Sequence, residues 1–119
     1  MTTYFFLLLL KHSFADLWLQ GRLGAKYGDK KNLTDLKLWV HSLDHTVLTA
    51  VITLLFAGLW WAIIIAVLDF VLHSVIDYVK RIYILRNNIT IKHYLYWKIQ
   101  SVDQALHYTC YFVYALIIF

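Results

Sequence analysis

Between Thr46 and Leu68 the sequence reads TVLTAVITLLFAGLWWAIIIAVL, with no charged residue in it. Such a block has two folded forms: one helix crossing the hydrocarbon core, which about 20 residues accomplish, or two helices that break at Gly58. The two forms treat His45 and His73 very differently. A continuous helix separates them by roughly 42 Å at 1.5 Å per residue, whereas a tight hairpin returns them to one depth. Either form calls for hydrocarbon around it. Apolar residues make up 61% of the chain and proline is absent, whereas soluble domains hold about 45–50% apolar residues. The excess comes in long blocks, which marks an integral membrane protein.

A length of 119 residues bounds the chain to one domain. The opening MTTYFF lacks the positive n-region of a signal peptide, and no small-residue cleavage motif follows, so the first apolar segment is expected to stay in the mature protein. Cys110 is the single cysteine, which excludes an intramolecular disulfide. The net charge of +4 would suggest nucleic acid if it were spread over a soluble surface, but its placement assigns it to membrane topology instead.

With the hairpin at Gly58, the expected fold is all-α: four transmembrane helices in an up-down-up-down bundle, at about 3–20, 35–57, 59–85 and 93–119. The connection GRLGAKYGDKKNLT carries Gly21, Gly24 and Gly28 and several charges, a helix-breaking composition. Thr34 or Asn32 can cap the second helix, with Asp35 in its first turn. In RIYILRNNITIK, Asn87-Asn88 is a turn signal, and the β-branched residues around it allow a short β-hairpin. Of the 11 Lys and Arg, all but Lys11 lie in or beside these two connections. The positive-inside rule therefore makes both connections cytoplasmic and turns both termini outward.

Each helix carries one pair of ionisable residues spaced i, i+4: His12 and Asp16, His41 and His45, His73 and Asp77, Asp103 and His107. That spacing puts both members of a pair on one helix face, and the alternating helix directions bring all four pairs to a common layer in the cytoplasmic half. Gln20, Asp69, Lys80 and Gln104 extend the stripes. A charged side chain at mid-helix costs about 2.5–3.5 kcal/mol on insertion scales, so the groups need one another, water or a metal. Imidazole and carboxylate ligands suit zinc, iron, manganese or nickel, and bundle cores hold such sites on facing helices. Eight ligand candidates exceed the needs of one tetrahedral ion. There are either two ions, or one ion with the remaining groups orienting ligands or acting as base.

Blander roles fit other residues. His93, beside a loop, reads as solvated, Asp44 as part of a hydrogen-bond network where the second helix starts, and Lys11 as turned away from the stripe, snorkelling or paired with an acid. Trp39, Trp60, Trp61 and Trp97 read as interfacial anchors.

The series HSFADLWLQ, HSLDHTVLT, HSVIDYVK and DQALH resembles the small phage and bacterial inner-membrane proteins grouped as domain of unknown function 3307. The pattern runs through nearly the whole chain, over His12, Asp16, Gln20, Lys26, His41, His45, His73, Asp77, Lys80, Asp103, Gln104 and His107. The resemblance implies a small membrane protein of phage or bacterial origin, in a family suspected of metal dependence. A looser similarity to the ceramidase-like membrane hydrolases, with their intramembrane zinc, is analogy alone, because that family's motif serine and larger helix number are missing.

The expected function is a metal-dependent membrane hydrolase. A divalent ion, zinc first, lowers the pKa of a bound water, and Asp16, Asp77 or Asp103 removes the proton. His41, His45, His73 and His107 lead the ligand candidates, with His12 and the three aspartates completing the set. Lys26 and Lys80, with Gln20 and Gln104, are expected to meet the head group of an anionic amphiphile in the bilayer. The alternatives are an ion or proton path, or a host-membrane-interacting protein, as a homo-oligomer, whose polar layer holds helices together.

Overall fold

The computed structural model describes residues 1–19 and 36–119. Four helices account for nearly all of them, and the described residues contain no strand: α1 (Thr2–Phe14), which runs on through a π-helical turn (Ala15–Leu19), α2 (Leu36–Ala57), α3 (Leu59–Arg86) and α4 (Tyr94–Ile118). Asp35, Thr34, Asn32, Gln20 and Lys26 lie outside the described residues, so the expected cap of α2 and two of the expected substrate contacts do too.

The apolar block breaks at Gly58. This residue has φ 82° and ψ 178°, a region open almost only to glycine. The amide of Gly58 still bonds to the Leu54 carbonyl at 3.2 Å, and its own carbonyl accepts from Ala62 N at 3.0 Å. One residue thus ends α2 and begins α3.

At the far end of α3 the structure corrects an expectation. Asn87-Asn88 does not turn a β-hairpin. Asn88 adopts φ 52°, its amide bonds to Leu85 O at 3.3 Å, and the Ile89 amide bonds to Ile84 O at 3.0 Å. This pair of bonds is a Schellman cap, which satisfies helix-end carbonyls through one left-handed residue. The asparagines end a helix, and the β-branched neighbours follow as turns up to His93. His93 is exposed, and its Nδ1 accepts from Thr90 N at 2.8 Å.

Each helix packs on its neighbours in chain order, and α1 closes the bundle against α4. At one end Tyr4, Leu8, Ile65, Tyr111, Tyr114 and Ala115 form an apolar cluster. It joins the starts of α1 and α3 to the ends of α2 and α4, with Tyr4 Oη 2.8 Å from Thr53 Oγ1 and its ring against Phe56 and Phe119. Helix directions therefore alternate. Beyond this cluster the interior turns polar: Lys11, His12, His41, His45, Asp69, His73, Asp77, Asp103 and His107 are all buried, while Leu55, Trp60 and Leu17 are more than 75% exposed. The polarity of a water-soluble domain is inverted. Two helices, α2 and α3, are long and apolar enough to cross a membrane.

Candidate metal centre

All four i, i+4 pairs meet inside the bundle. The ring of His73 stacks on that of His45 at 3.9 Å and lies 4.2 Å from that of His107, while His12 lies 4.8 Å from His45. The distances between polar atoms divide the eight residues into two kinds.

The first kind meets at hydrogen-bond length. His45 Nε2 donates to Asp16 Oδ1 at 3.0 Å, and Lys11 Nζ lies 3.4 Å from His45 Nδ1. His12 Nδ1 accepts from Tyr111 Oη at 2.8 Å, and its Nε2 faces Gln104 Oε1 at 3.1 Å and Asp16 Oδ2 at 3.2 Å. A carboxylate and an amide oxygen only accept, so both imidazoles carry their proton on Nε2. Two N–H groups thereby hold the two oxygens of Asp16. Both nitrogens of His12 and Nε2 of His45 thus have partners at 3.2 Å or less within the protein, and both rings also belong to groups whose ligand atoms lie within 4.8 Å of one another, His12–His45–His73 and Asp16–His41–His45. Gln104, expected at the substrate, joins His12 to Asp103, towards which its Nε2 lies at 3.4 Å.

The second kind meets at longer range. His41 Nε2 is 3.4 Å from His73 Nε2 and 3.4 Å from Asp77 Oδ2, which is itself 3.6 Å from His73 Nε2. Ordinary N–H···O bonds span about 2.7–3.2 Å, so these three edges are long for hydrogen bonds. They suit donors that share a cation: tetrahedral zinc with bonds of about 2.0–2.1 Å sets neighbouring ligand atoms roughly 3.3–3.4 Å apart. Asp16 Oδ1 touches this triangle, 3.4 Å from His41 Nε2. Among the described residues, His41, His73 and Asp77 form one of four groups whose ligand atoms lie within 4.8 Å of one another.

A second group, Asp77, Asp103 and His107, adjoins the first through Asp77. Here an ammonium already stands among the carboxylates: Lys80 Nζ is 2.9 Å from Asp103 Oδ2 and 3.8 Å from Asp77 Oδ1. His107 Nδ1 donates to the Asp103 carbonyl at 2.9 Å, which turns the Nε2 lone pair towards Asp77 Oδ1, 3.8 Å away.

Local structure explains the aim of Asp16. The π-helical turn at Ala15–Leu19 widens α1 where its stripe meets the layer, and such turns recur at functional sites. Asp16 keeps 27% of its side chain exposed, against 4% or less for Asp69, Asp77 and Asp103.

Lys11 is not turned away from the stripe, and of the two roles expected for it, snorkelling or pairing with an acid, it takes the second: it is 5% exposed and pairs with Asp69. It lies on the buried face of α1 with Tyr4, Leu8, His12 and Ala15, its Nζ 3.4 Å from Asp69 Oδ2 and 3.3 Å from His45 O and over the ring of Tyr111. Tyr111 and Thr49, which donates to Asp69 Oδ2 at 2.8 Å, did not stand out in the sequence. Both continue a stripe by one turn, from His107 and from His45.

No curated protein and no solved structure matches the chain. A family model does, from residue 4 to residue 119: the chain belongs to the family described as Protein of unknown function (DUF3307).

Proposed function

We propose that this chain is a membrane-embedded, metal-dependent hydrolase in which His41, His73 and Asp77 hold one divalent ion, zinc first, and Asp16 is the general base. The observation that carries this reading is the His41–His73–Asp77 triangle, with edges of 3.4, 3.4 and 3.6 Å. A single ion is supported by Lys80: its ammonium, 2.9 Å from Asp103 Oδ2 and 3.8 Å from Asp77 Oδ1, already fills the seat that a second ion would need.

When bound, the ion lowers the pKa of a water and polarises the bond under attack. Asp16, reachable from solvent and held by His12 and His45, accepts one proton from that water and returns it to the leaving oxygen, so water is added across the cleaved bond. His12 and His45 orient the base, and Tyr111 and Lys11 fix the tautomers of those two rings. An amphiphile is the fitting substrate class, since the layer lies inside a bundle with an apolar surface.

The inverted polarity of the bundle supports four membrane spans, and the basic connections support termini on the side away from the cytoplasm, which is the periplasm in the bacterial inner membrane that the family resemblance implies. Reporters fused at Met1 and Phe119 should then both read the side opposite to one inserted at residues 22–31. A second reading has its own observation: the hydrogen-bonded line from Asp16 through His45, Lys11 and Asp69 to Thr49 would suit a proton relay.

Elemental analysis of detergent-purified protein tests the first reading, beside a lipid-ester and phosphoester hydrolysis panel. About one divalent ion per chain is expected, lost in His73→Ala and kept in Tyr111→Phe, with hydrolysis lowered in both. No stoichiometric metal in the unsubstituted protein would sink the proposal, and metal-independent proton flux in proteoliposomes would favour the relay.

A further inference from the structure

One cavity touches the layer from the side. Between α3 and α4 lies a groove of about 520 Å³, within the roughly 300–1,000 Å³ typical of ligand sites. Val75 and Val79 of α3 face Val102 and Leu106 of α4 across it, and Lys80, Lys98 and Asp103 are its charged members. The apolar wall residues Val75, Val79, Val102 and Leu106 are each about half exposed on the bundle's outer surface, so the groove opens laterally instead of through the helix ends.

Its charges are not spread evenly. Lys80 lies 21 residues into α3, about 31 Å along it, and Lys98 lies in the second turn of α4. Both lysines therefore lie in the half of the groove nearest the 87–93 connection, with Tyr83 and Leu95 beyond them, and Val75, Val102 and Leu106 run away from them towards the middle of the helices. Lys98 Nζ stands over the ring of Tyr94 at 4.8 Å. Lys80 is at once a wall of the groove and the partner of Asp103 and Asp77, and Asp77 is a member of the candidate metal triangle. A charged end next to the metal group and an apolar run leading from it match one ligand: an acyl chain with a negative head group.

We propose that this groove is the substrate-binding site, and that its occupant is an anionic glycerophospholipid with one acyl chain between α3 and α4 and its phosphate at Lys80 and Lys98. The lipid enters from the bilayer. Its phosphate competes with Asp103 for the Lys80 ammonium, which brings the head group to the cation next to Asp77. The cleavage step rests on the hydrolase reading above, whereas lipid binding does not depend on it.

The test is retention of lysophosphatidic acid against lysophosphatidylcholine of the same chain length by the purified full-length protein in detergent, quantified by mass spectrometry after gel filtration, with metal measured on the same samples. The unsubstituted protein should retain the anionic lipid about tenfold better, as expected for a partly desolvated charge pair. Val102→Trp, or Val79→Trp as a second way of filling the groove, should lower retention of both lipids with metal content unchanged. Lys98→Glu should remove the preference and keep chain binding. Equal retention of the two lipids, or retention untouched by both tryptophans, would overturn the proposal. The preference should persist in His73→Ala, so a failed metal reading and a failed groove give different results.

Discussion

Asp16 and Lys11 show how neighbouring side chains sort a crowded polar layer. The sequence spacing identified Asp16 as one of eight ligand candidates and one of three candidate bases, but it carried no information about which ring nitrogens were already engaged. That depends on Tyr111 and Gln104, whose contacts to His12 span two helices. The pairing of Lys11 with an acid was legible, but its direction was not, because attention to the i, i+4 pairs hid a wider buried face. Tyr4, Leu8, Lys11, His12 and Ala15 follow the i, i+3, i+4 pattern of a core-facing stripe, and only the position of Asp69 on α3 makes an ammonium there tolerable. Lys11→Met should therefore cost about 3–5 kcal/mol, because it leaves the Asp69 carboxylate buried without its cation. Lys11→Met combined with Asp69→Leu should recover most of that loss. Thermal unfolding in detergent reads both, and a double variant no more stable than the single one would show that the ion pair is not what Lys11 contributes.

Among the elements, the breaks were more legible than the distortions. Gly58 in an uncharged apolar block, together with the need to bring His45 and His73 to one depth, located the α2–α3 hairpin. The Asn87-Asn88 stop was visible too, though its chemistry was misjudged: local β-propensity suggested strands, and the Schellman bonds to Ile84 and Leu85 ended a helix instead. Nothing in ADLWL signals the π-helical turn, because an extra residue in a turn is stabilised by what it aims and not by its own composition. At Gly58 a Cβ would meet nothing within 4 Å, so only the backbone resists substitution. Gly58→Ala should destabilise the bundle by about 1–3 kcal/mol through its φ of 82°, with the metal content of the folded protein unchanged. An unfolding temperature equal to that of the unsubstituted protein would mean that the hairpin accepts another backbone conformation at no cost.

For the molecule as a whole, the polar interior and apolar exterior turn the usual stability argument around. Little apolar surface is buried around the layer, so what holds the helices there is charge compensation, and the sum over the four helices decides whether it closes. Composition made the apolar-faced helices legible and spacing made the layer legible, but neither shows that Lys11 and Lys80 both turn inward among the carboxylates. If one divalent ion is bound at His41, His73 and Asp77, removing it leaves Asp77 and the neighbouring Asp16 repelling inside a poorly solvated bundle. Chelation should then lower the unfolding temperature, by an amount equivalent to about 2.7 kcal/mol at a metal concentration of 100 Kd. Asp16→Asn removes a carboxylate that touches the His41–His73–Asp77 triangle and leaves the triangle in place. Its metal-free form should be more stable than the metal-free parent, and its gain on adding zinc smaller. Lys80→Met should act in the opposite sense, widening the gap between metal-free and metal-loaded protein, because Asp77 and Asp103 lose a neighbouring cation. A chelation experiment that leaves all three unfolding temperatures unmoved would show that the layer is neutral by itself, through protonated imidazoles, and would remove the physical reason for a resident ion.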